Sequence, residues 1–441
     1  MKKKILFIQP TIYDDYGKLV KKKKLYFVGL AYPLLCAMLP RDWECEICLE
    51  TIEEIPFDTD ASVIGIGGMG HAAARSRDIA LEFKRRDPSK IVLMGGPMAS
   101  LVPELAKEYF DSVVIGDAEE VWAGVVADIE QGSLKPFYKQ EIHQLKTPLP
   151  RYDLLVNKRI GDFLPVQAGR GCPNSCKFCS IYCLYRTKYL KRDIADVMRD
   201  IKYIKELGFK KFLLIDDNIA SDEEYMRALC LEIKKLDMRW MSQCSIEIGD
   251  NPGLLEAVAD SGCYMLSFGL ESLNTESLKA VNKNWCDPAD YPRLIHNIMA
   301  AGIGVASEMI VGIETDTRES LLNTVGFVKQ TKIIAPKFYI LTPIPGTELY
   351  DEMKREHRLV EEDVFLYTPA KAVITHPTLQ ADELTEVFWA IYNKLYTIPT
   401  ILRRTVFNRH FFRNPRVSLF LLSINLYYRH QIRRKISPNI M

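Results

Sequence analysis

The sequence contains no apolar run near the roughly 20 residues that span a bilayer. The apolar stretch after Lys2-Lys3-Lys4 is too short for the core of an export signal and reads as a first strand behind a basic flank. These absences point to a cytoplasmic chain with no membrane-spanning helix. No internal repeat and no low-complexity tract is present, which argues against a solenoid or a linker protein. The 11 cysteines are odd in number and, without an export signal, belong to a reducing compartment, where core packing or metal ligation is their expected use. Acidic residues are missing altogether from position 401 onward.

Across 441 residues, 48% are hydrophobic and 26% charged, enough apolar material for two or three domains. The net charge of +1 hides an asymmetry. Residues 401–441 hold nine of the 58 basic residues and none of the 57 acidic ones, so the first 400 carry a net −8. Apolar runs at 5–8, 62–68, 91–97 and 112–116 alternate with helical stretches at 28–39, 71–86, 102–109 and 119–129. Continuous apolar strands between helices imply a parallel sheet covered on both faces. The expected fold is therefore α/β, with a doubly wound, flavodoxin- or Rossmann-like sheet over 1–135. A linker over 136–163 follows. Strands expected at 164–168, 212–215, 240–246, 264–269, 306–311 and 338–341, with helices such as 194–207 and 223–236 between them, suggest a partial (β/α)6 TIM-type barrel over 164–350. Residues 351–441 read as a helical C-terminal region with a basic, apolar tail.

The sharpest signal is Gly171-Cys172-Pro173-Asn174-Ser175-Cys176-Lys177-Phe178-Cys179, directly after the first expected barrel strand. Three thiolates in so short a loop suit zinc or an iron–sulfur cluster. A structural zinc site wants a fourth ligand, which Cys183 is close enough in sequence to supply. Three ligands instead leave one iron of a cubane open. The spacing C-x3-C-x2-C, with Phe178 before the last cysteine, resembles the hallmark of the radical S-adenosylmethionine (AdoMet) superfamily. That resemblance implies a [4Fe–4S] cluster on Cys172, Cys176 and Cys179. The open iron would hold AdoMet, and one electron from the cluster would cleave it to a 5′-deoxyadenosyl radical. An electron donor such as flavodoxin or ferredoxin is implied as a partner.

The resemblance also places AdoMet contacts at strand ends. Beside the cluster these are Phe178, the Asp216-Asp217-Asn218 turn where many members carry Gly-Gly-Glu, Glu271 after the fourth strand, and Gly312 and Ile313 after the fifth. Pro343-Ile344-Pro345-Gly346-Thr347 closes the sixth. Each alone is an ordinary strand-end turn, and their order after the cysteine loop is what joins them. A doubly wound domain ahead of such a barrel is similar to the cobalamin-binding domain of the cobalamin-dependent class. Gly67, Gly68, Gly95 and Gly96 are the candidate cobalamin-facing glycines, since glycine lets backbone approach a large ligand. None of the seven histidines lies in an Asp-x-His-x-x-Gly setting; His71 is the nearest candidate for a lower cobalt ligand. Either cobalamin binds without a protein histidine, or the domain has lost it. Gly116-Asp117-Ala118-Glu119 resembles a segment of the subgroup with hopanoid methylases and the anaerobic magnesium-protoporphyrin monomethyl ester cyclase.

The resemblance implies C-methylation of an unactivated carbon in a small or lipid-like substrate. A cobalamin-assisted cyclisation or oxidation without methyl transfer is the alternative, and a zinc-binding module without catalysis is the reading of another class. No nucleic-acid partner is expected. The stretch 417–428, flanked by arginines, would be about 18 Å long as a helix. It is either an interfacial helix, giving residues 401–441 a peripheral membrane contact with Phe411 and Phe412 inserted, or a helix packed on the barrel with its arginines solvated. Lys21 to Lys24 reads as a solvated loop.

Overall fold

The computed structural model describes residues 2–68, 70–368, 370–408, 412 and 415–438. Met69, Arg409, His410, Phe411, Arg413 and residues 439–441 lie outside the described residues, as does the side chain of Arg416.

The first 140 residues build one sheet of six strands: β1 (Lys4–Gln9), β2 (Glu44–Leu49), β3 (Val63–Gly67), β4 (Ile91–Gly95), β5 (Ser112–Ile115) and β6 (Phe137–Lys139). Their order is β2-β1-β3-β4-β5-β6 and every pairing is parallel. Alternation along β1 sends Ile5 and Phe7 into one core and Leu6 and Ile8 into another, because both faces are covered. The order turns about between β1 and β3, and the crevice outside their C-terminal ends is where such sheets bind ligands. Two strands were not anticipated. β2 opens with the polar Glu44 and Glu46, and β6 has only three residues and lies in the segment read as a linker. Both are edge strands, where one open side removes the need for a continuous apolar run. The helix expected over 28–39 shortens to Ala31–Ala37.

A second sheet holds β7 (Phe163–Gln167), β10 (Lys211–Ile215), β11 (Arg239–Gln243), β12 (Cys263–Glu271), β13 (Gly304–Val311) and β14 (Ala335–Ile340), parallel and in sequence order. A hairpin of β8 (Gly169–Gly171) and β9 (Tyr189–Lys191) rises from the end of β7. β14 does not pair with β7, so the barrel is open. Its free edge is closed by two tyrosines. Tyr392 Oη accepts from Phe338 N at 2.9 Å and donates to Phe338 O at 3.1 Å, and Tyr396 Oη donates to Pro336 O at 2.7 Å.

The tail forms a helix over Pro415–Arg433, longer than the 417–428 stretch because Arg429 to Arg433 continue it. Val417 and Leu421 pack against Phe163, Tyr264 and Ile334 at the starts of three strands, so the helix stoppers the N-terminal mouth of the barrel. Arg404, counted above with the basic tail, is interior. Its Nη2 donates to Asn425 Oδ1 at 2.6 Å, its Nη1 to Leu395 O at 2.6 Å, and its guanidinium lies 4.4 Å from the Tyr396 ring centroid. Among the described residues no helix is long and apolar enough to cross a membrane.

Candidate functional site

The cysteine loop leaves β8 and enters the short helix Ser180–Tyr185. Two glycines make that path available. A Cβ on Gly169 would sit 2.5 Å from Tyr189 Oη, and Gly171, at φ +91°, would place one 2.1 Å from Lys188 O. The loop is then pinned along its length. Asn282 Nδ2 donates to Ser175 O at 2.7 Å, Lys177 N to Val281 O at 3.1 Å, and Leu349 N to Lys177 O at 3.1 Å. Cys176 is buried, and Cys172 and Cys179 are partly buried. Burial raises all three thiols, Cys176 to about 12 with Lys283 pulling against it. Neutral thiols must shed protons to ligate, so metal uptake here releases protons.

Three thiols in one loop are the donor set that a cubane with one open iron would take. Cys183 lies one helical turn beyond Cys179, and its Sγ donates to Gly346 O at 3.1 Å. Its sulfur is therefore engaged with the β14 end. Among the described residues no three Cys, His, Asp or Glu side chains are grouped as a single-ion site would group them.

The strand-end residues gather around this loop in different ways. Asp217 Oδ2 accepts from Gly171 N at 2.7 Å, so it holds the loop itself. Asp216 accepts from Tyr189 Oη at 2.7 Å and from Asn218 N at 2.9 Å. Burial raises the two carboxyls, Asp216 to about 7 and Asp217 to about 6. Asn218 Nδ2 donates to Ser245 Oγ at 2.9 Å, and its side chain faces Cys172. Glu271, at φ +60°, pairs with Lys283 at 2.9 Å, and Lys283 also donates to Gly269 O at 2.6 Å. This buried ion pair stands beside Cys176. Gly312 and Ile313 are less open than expected. Their amides both donate to Asp316 Oδ2 at 3.0 Å, and the Ile313 carbonyl meets His376 Nε2 at 2.9 Å. His376 Nδ1 accepts from Leu379 N, so Nε2 carries the proton. The two amides are committed to Asp316, while the Ile313 carbonyl keeps a second lone pair. Phe178 and Ile310 pack against the apolar cluster that contains Leu341 and Leu349. A cavity of about 390 Å³, in the range of small-molecule sites, opens at the ends of β12 and β13, lined by Glu271, Asn274, Val311 and Asp316; none of the three cysteines lines it.

The first sheet turns its C-terminal end toward this loop. Asp117, after β5, contacts Arg170 Nη1 at 2.6 Å and accepts from Tyr185 Oη at 2.8 Å. Arg170 Nη2 donates to Glu119 at 2.5 Å and to Gln167 Oε1 at 2.7 Å. Gly67 and Gly68 end β3, and Gly95 and Gly96 end β4; Gly96 has φ +92°, and a Cβ on Gly95 would meet open space. Tyr32 Oη donates to Gly67 O. His71 lies in the turn Gly70–Ala72, where burial lowers its pKa. Gly96 takes a backbone conformation that glycine adopts readily, and nothing within 4 Å would crowd a Cβ on Gly95, so backbone at this sheet end is open to close approach by a ligand.

Arg170, Tyr185, Tyr189, Lys283 and Glu308 were not singled out from sequence. Glu308 lies on the face of β13 away from the helices, 3.5 Å from Lys337 on β14. Only Arg170 left a trace, as a charge directly before the Gly-Cys start of the loop; the others join through contacts distant in sequence.

A family model described as the radical SAM superfamily matches residues 166–328. The bacteriochlorophyllide d C-12(1)-methyltransferase of Chlorobaculum tepidum is 30% identical over 329 residues, 71% of this chain and 71% of the relative. The hopanoid C-2 methylase of Rhodopseudomonas palustris is 24% identical over 350 residues, 75% of this chain and 65% of the relative. Among solved structures, the cobalamin-dependent S-adenosylmethionine radical enzyme OxsB matches with a TM-score of 0.71 at 14% identity, covering 98% of this chain and 71% of that one, a likeness of fold. The cysteine loop at the mouth of an open barrel, the family match over that barrel and the methyltransferase relative together place the protein: the chain belongs to the radical SAM superfamily.

Proposed function

We propose that this enzyme methylates an unactivated carbon of a small-molecule substrate, with a [4Fe–4S] cluster on Cys172, Cys176 and Cys179 and a cobalamin against the C-terminal end of the first sheet. When bound, the cluster supplies one electron to AdoMet and the cobalamin a methyl group. The chain's own part is placement. Asp217 fixes the loop through Gly171 N, and the Lys283–Glu271 pair puts a cation beside Cys176, where thiolate charge would gather. Asp216 and Asn218 shape the strand end next to Cys172, and Arg170 ties that mouth to Asp117 and Glu119 of the first sheet.

The observation that carries the reading is the meeting of two strand-end mouths on either side of one three-cysteine loop. The relatives' names, methyltransferases acting on a bacteriochlorophyllide and on a hopanoid, support methyl transfer and a bulky, largely apolar acceptor. The test is anaerobic purification followed by iron, sulfide and cobalamin analysis, with product mass after turnover. Iron and sulfide lost in Cys176→Ala and kept in Cys183→Ala are expected. Zinc alone after reconstitution, or a product that gains no carbon, overturns the respective half of the proposal.

A further inference from the structure

The C-terminal helix has two faces. Val417, Leu421, Asn425, Tyr428 and Ile432 are buried against the barrel. The opposite side presents Leu419 (55% exposed), Leu426 (42%) and Tyr427 (41%) near its middle, and exposed His430, Arg433, Arg434 and Lys435 at its end. Phe407 (66%) and Phe412 (79%) stand out just before the helix. Of the twelve large hydrophobic side chains most exposed in the described chain, six lie between positions 398 and 427. A solvated helix end explains the arginines but not this concentration of exposed apolar side chains along one stretch of chain.

The fold adds a second basic segment that sequence distance concealed. Lys22 Nζ lies 5.9 Å from the centroid of the Tyr427 ring, and the adjacent Lys23 and Lys24 are exposed. Tyr16 Oη donates to Arg434 O at 3.1 Å, which holds this N-terminal loop against the tail. Asp14 and Asp15 belong to the same loop; Asp15 is taken up by Ser437 N and Oγ at 3.1 and 3.2 Å. Exposed apolar side chains are thus bordered by Lys23, Lys24, Arg433, Arg434 and Lys435.

We infer that this composite face, the Lys23–Lys24 loop together with the outer side of the Pro415–Arg433 helix, docks on an anionic lipid bilayer. The occupant follows from the charge. Insertion of Leu419 and Leu426 would remove apolar area from water, while a fringe of cations with few acids favours acidic headgroups. The face lies at the N-terminal end of the barrel strands, opposite the cysteine loop, so docking leaves the mouth of the site turned to solution. The inference rests on this surface alone and is independent of the reaction proposed above.

The test uses the full chain with its cluster, sedimented with vesicles of phosphatidylcholine alone or with added phosphatidylglycerol. Deleting the tail would uncover the barrel floor, so point variants are used. Leu419→Gln/Leu426→Gln changes only the outer face, and Arg433→Gln/Arg434→Gln/Lys435→Gln only the fringe. Wild type should sediment with the phosphatidylglycerol vesicles and weaken as salt rises. Each lost charge should lower partitioning roughly fivefold, and the leucine pair should lower it in both salt conditions. AdoMet cleavage in solution and iron content should stay at wild-type levels in both variants, which separates loss of docking from loss of fold. No sedimentation of wild type, or equal sedimentation of wild type and variants, overturns the inference. So does a wild-type dimer in solution that the leucine pair breaks, since the face would then be covered by a second copy.

Discussion

Replacing Arg170 by Met tests whether the two sheets are electrostatically pinned at the cluster loop. Arg170 is the cation that two carboxylates share, with Nη1 at 2.6 Å from Asp117 and Nη2 at 2.5 Å from Glu119, and all three side chains are at most 13% exposed. In Arg170→Met the two carboxylates would face each other without their counter-charge. Removing one partner of a buried ion pair costs about 3–5 kcal/mol. The protein has one escape, which is proton uptake by the acids. Burial already raises Asp117, and Arg170 is the foremost of the groups that hold it down, ahead of the Tyr185 hydroxyl. Without Arg170 the folded-state Asp117 value rises further, while its unfolded-state value does not change. The variant's folded form then binds more protons than its unfolded form, so its stability grows as pH falls from 7 toward 5. Its deficit against wild type should be largest near pH 7 and shrink toward pH 5. Urea denaturation of both proteins at the two pH values, with iron absorbance followed alongside, measures this. Arg170→Lys should recover part of the loss, since it keeps the charge but not the fork that reaches both acids. A variant within about 1 kcal/mol of wild type at pH 7, below the range expected for a broken buried pair, or a deficit that does not narrow at pH 5, would refute the reasoning.

Three further outcomes are expected. Gly171→Ala should lose its iron on reconstitution, because a Cβ would lie 2.1 Å from Lys188 O at a φ of +91°, and iron and sulfide content reads this directly. Arg404→Met leaves Asn425 Oδ1 and Leu395 O buried without their donor and should cost about 3 kcal/mol or more, seen in urea denaturation as early loss of the C-terminal helices. Asp216, whose carboxyl is pushed to about 7 by burial, is more easily protonated folded than unfolded. It therefore lowers the stability of the apoprotein progressively as pH rises from about 4 to 7, by up to about 4 kcal/mol. Asp216→Asn, which keeps an acceptor for Tyr189, should flatten that slope, and an unchanged slope in thermal denaturation counts against it.

Much of this architecture is written locally, and the parts that are not share one cause. The six strands of the second sheet were legible because each is apolar toward the helices that cover it, as with Phe212 and Leu214 on β10 or Met309 and Val311 on β13. The cysteine loop was legible because its three cysteines, Cys172, Cys176 and Cys179, fall close together in one short segment. The edge strands β2 and β6 were not, since an edge needs no run of apolar residues, and Glu44 and Glu46 in β2 read as surface. The same limit applies to charge. Arg404 and Arg433 carry equal weight in a count of basic residues, yet one is locked between Asn425 and Leu395 O and the other is exposed. Asp117 and Glu119 could be noticed as a turn, but their meaning depends on Arg170, about fifty positions on, and only the docking of two sheets brings them together. Lys22 and Tyr427 make the point at a still larger separation, being joined only because the last helix returns to the floor of the barrel. What sequence conceals here is pairing across elements, and pairing decides which charges hold the cluster mouth in place and which remain free to meet a partner.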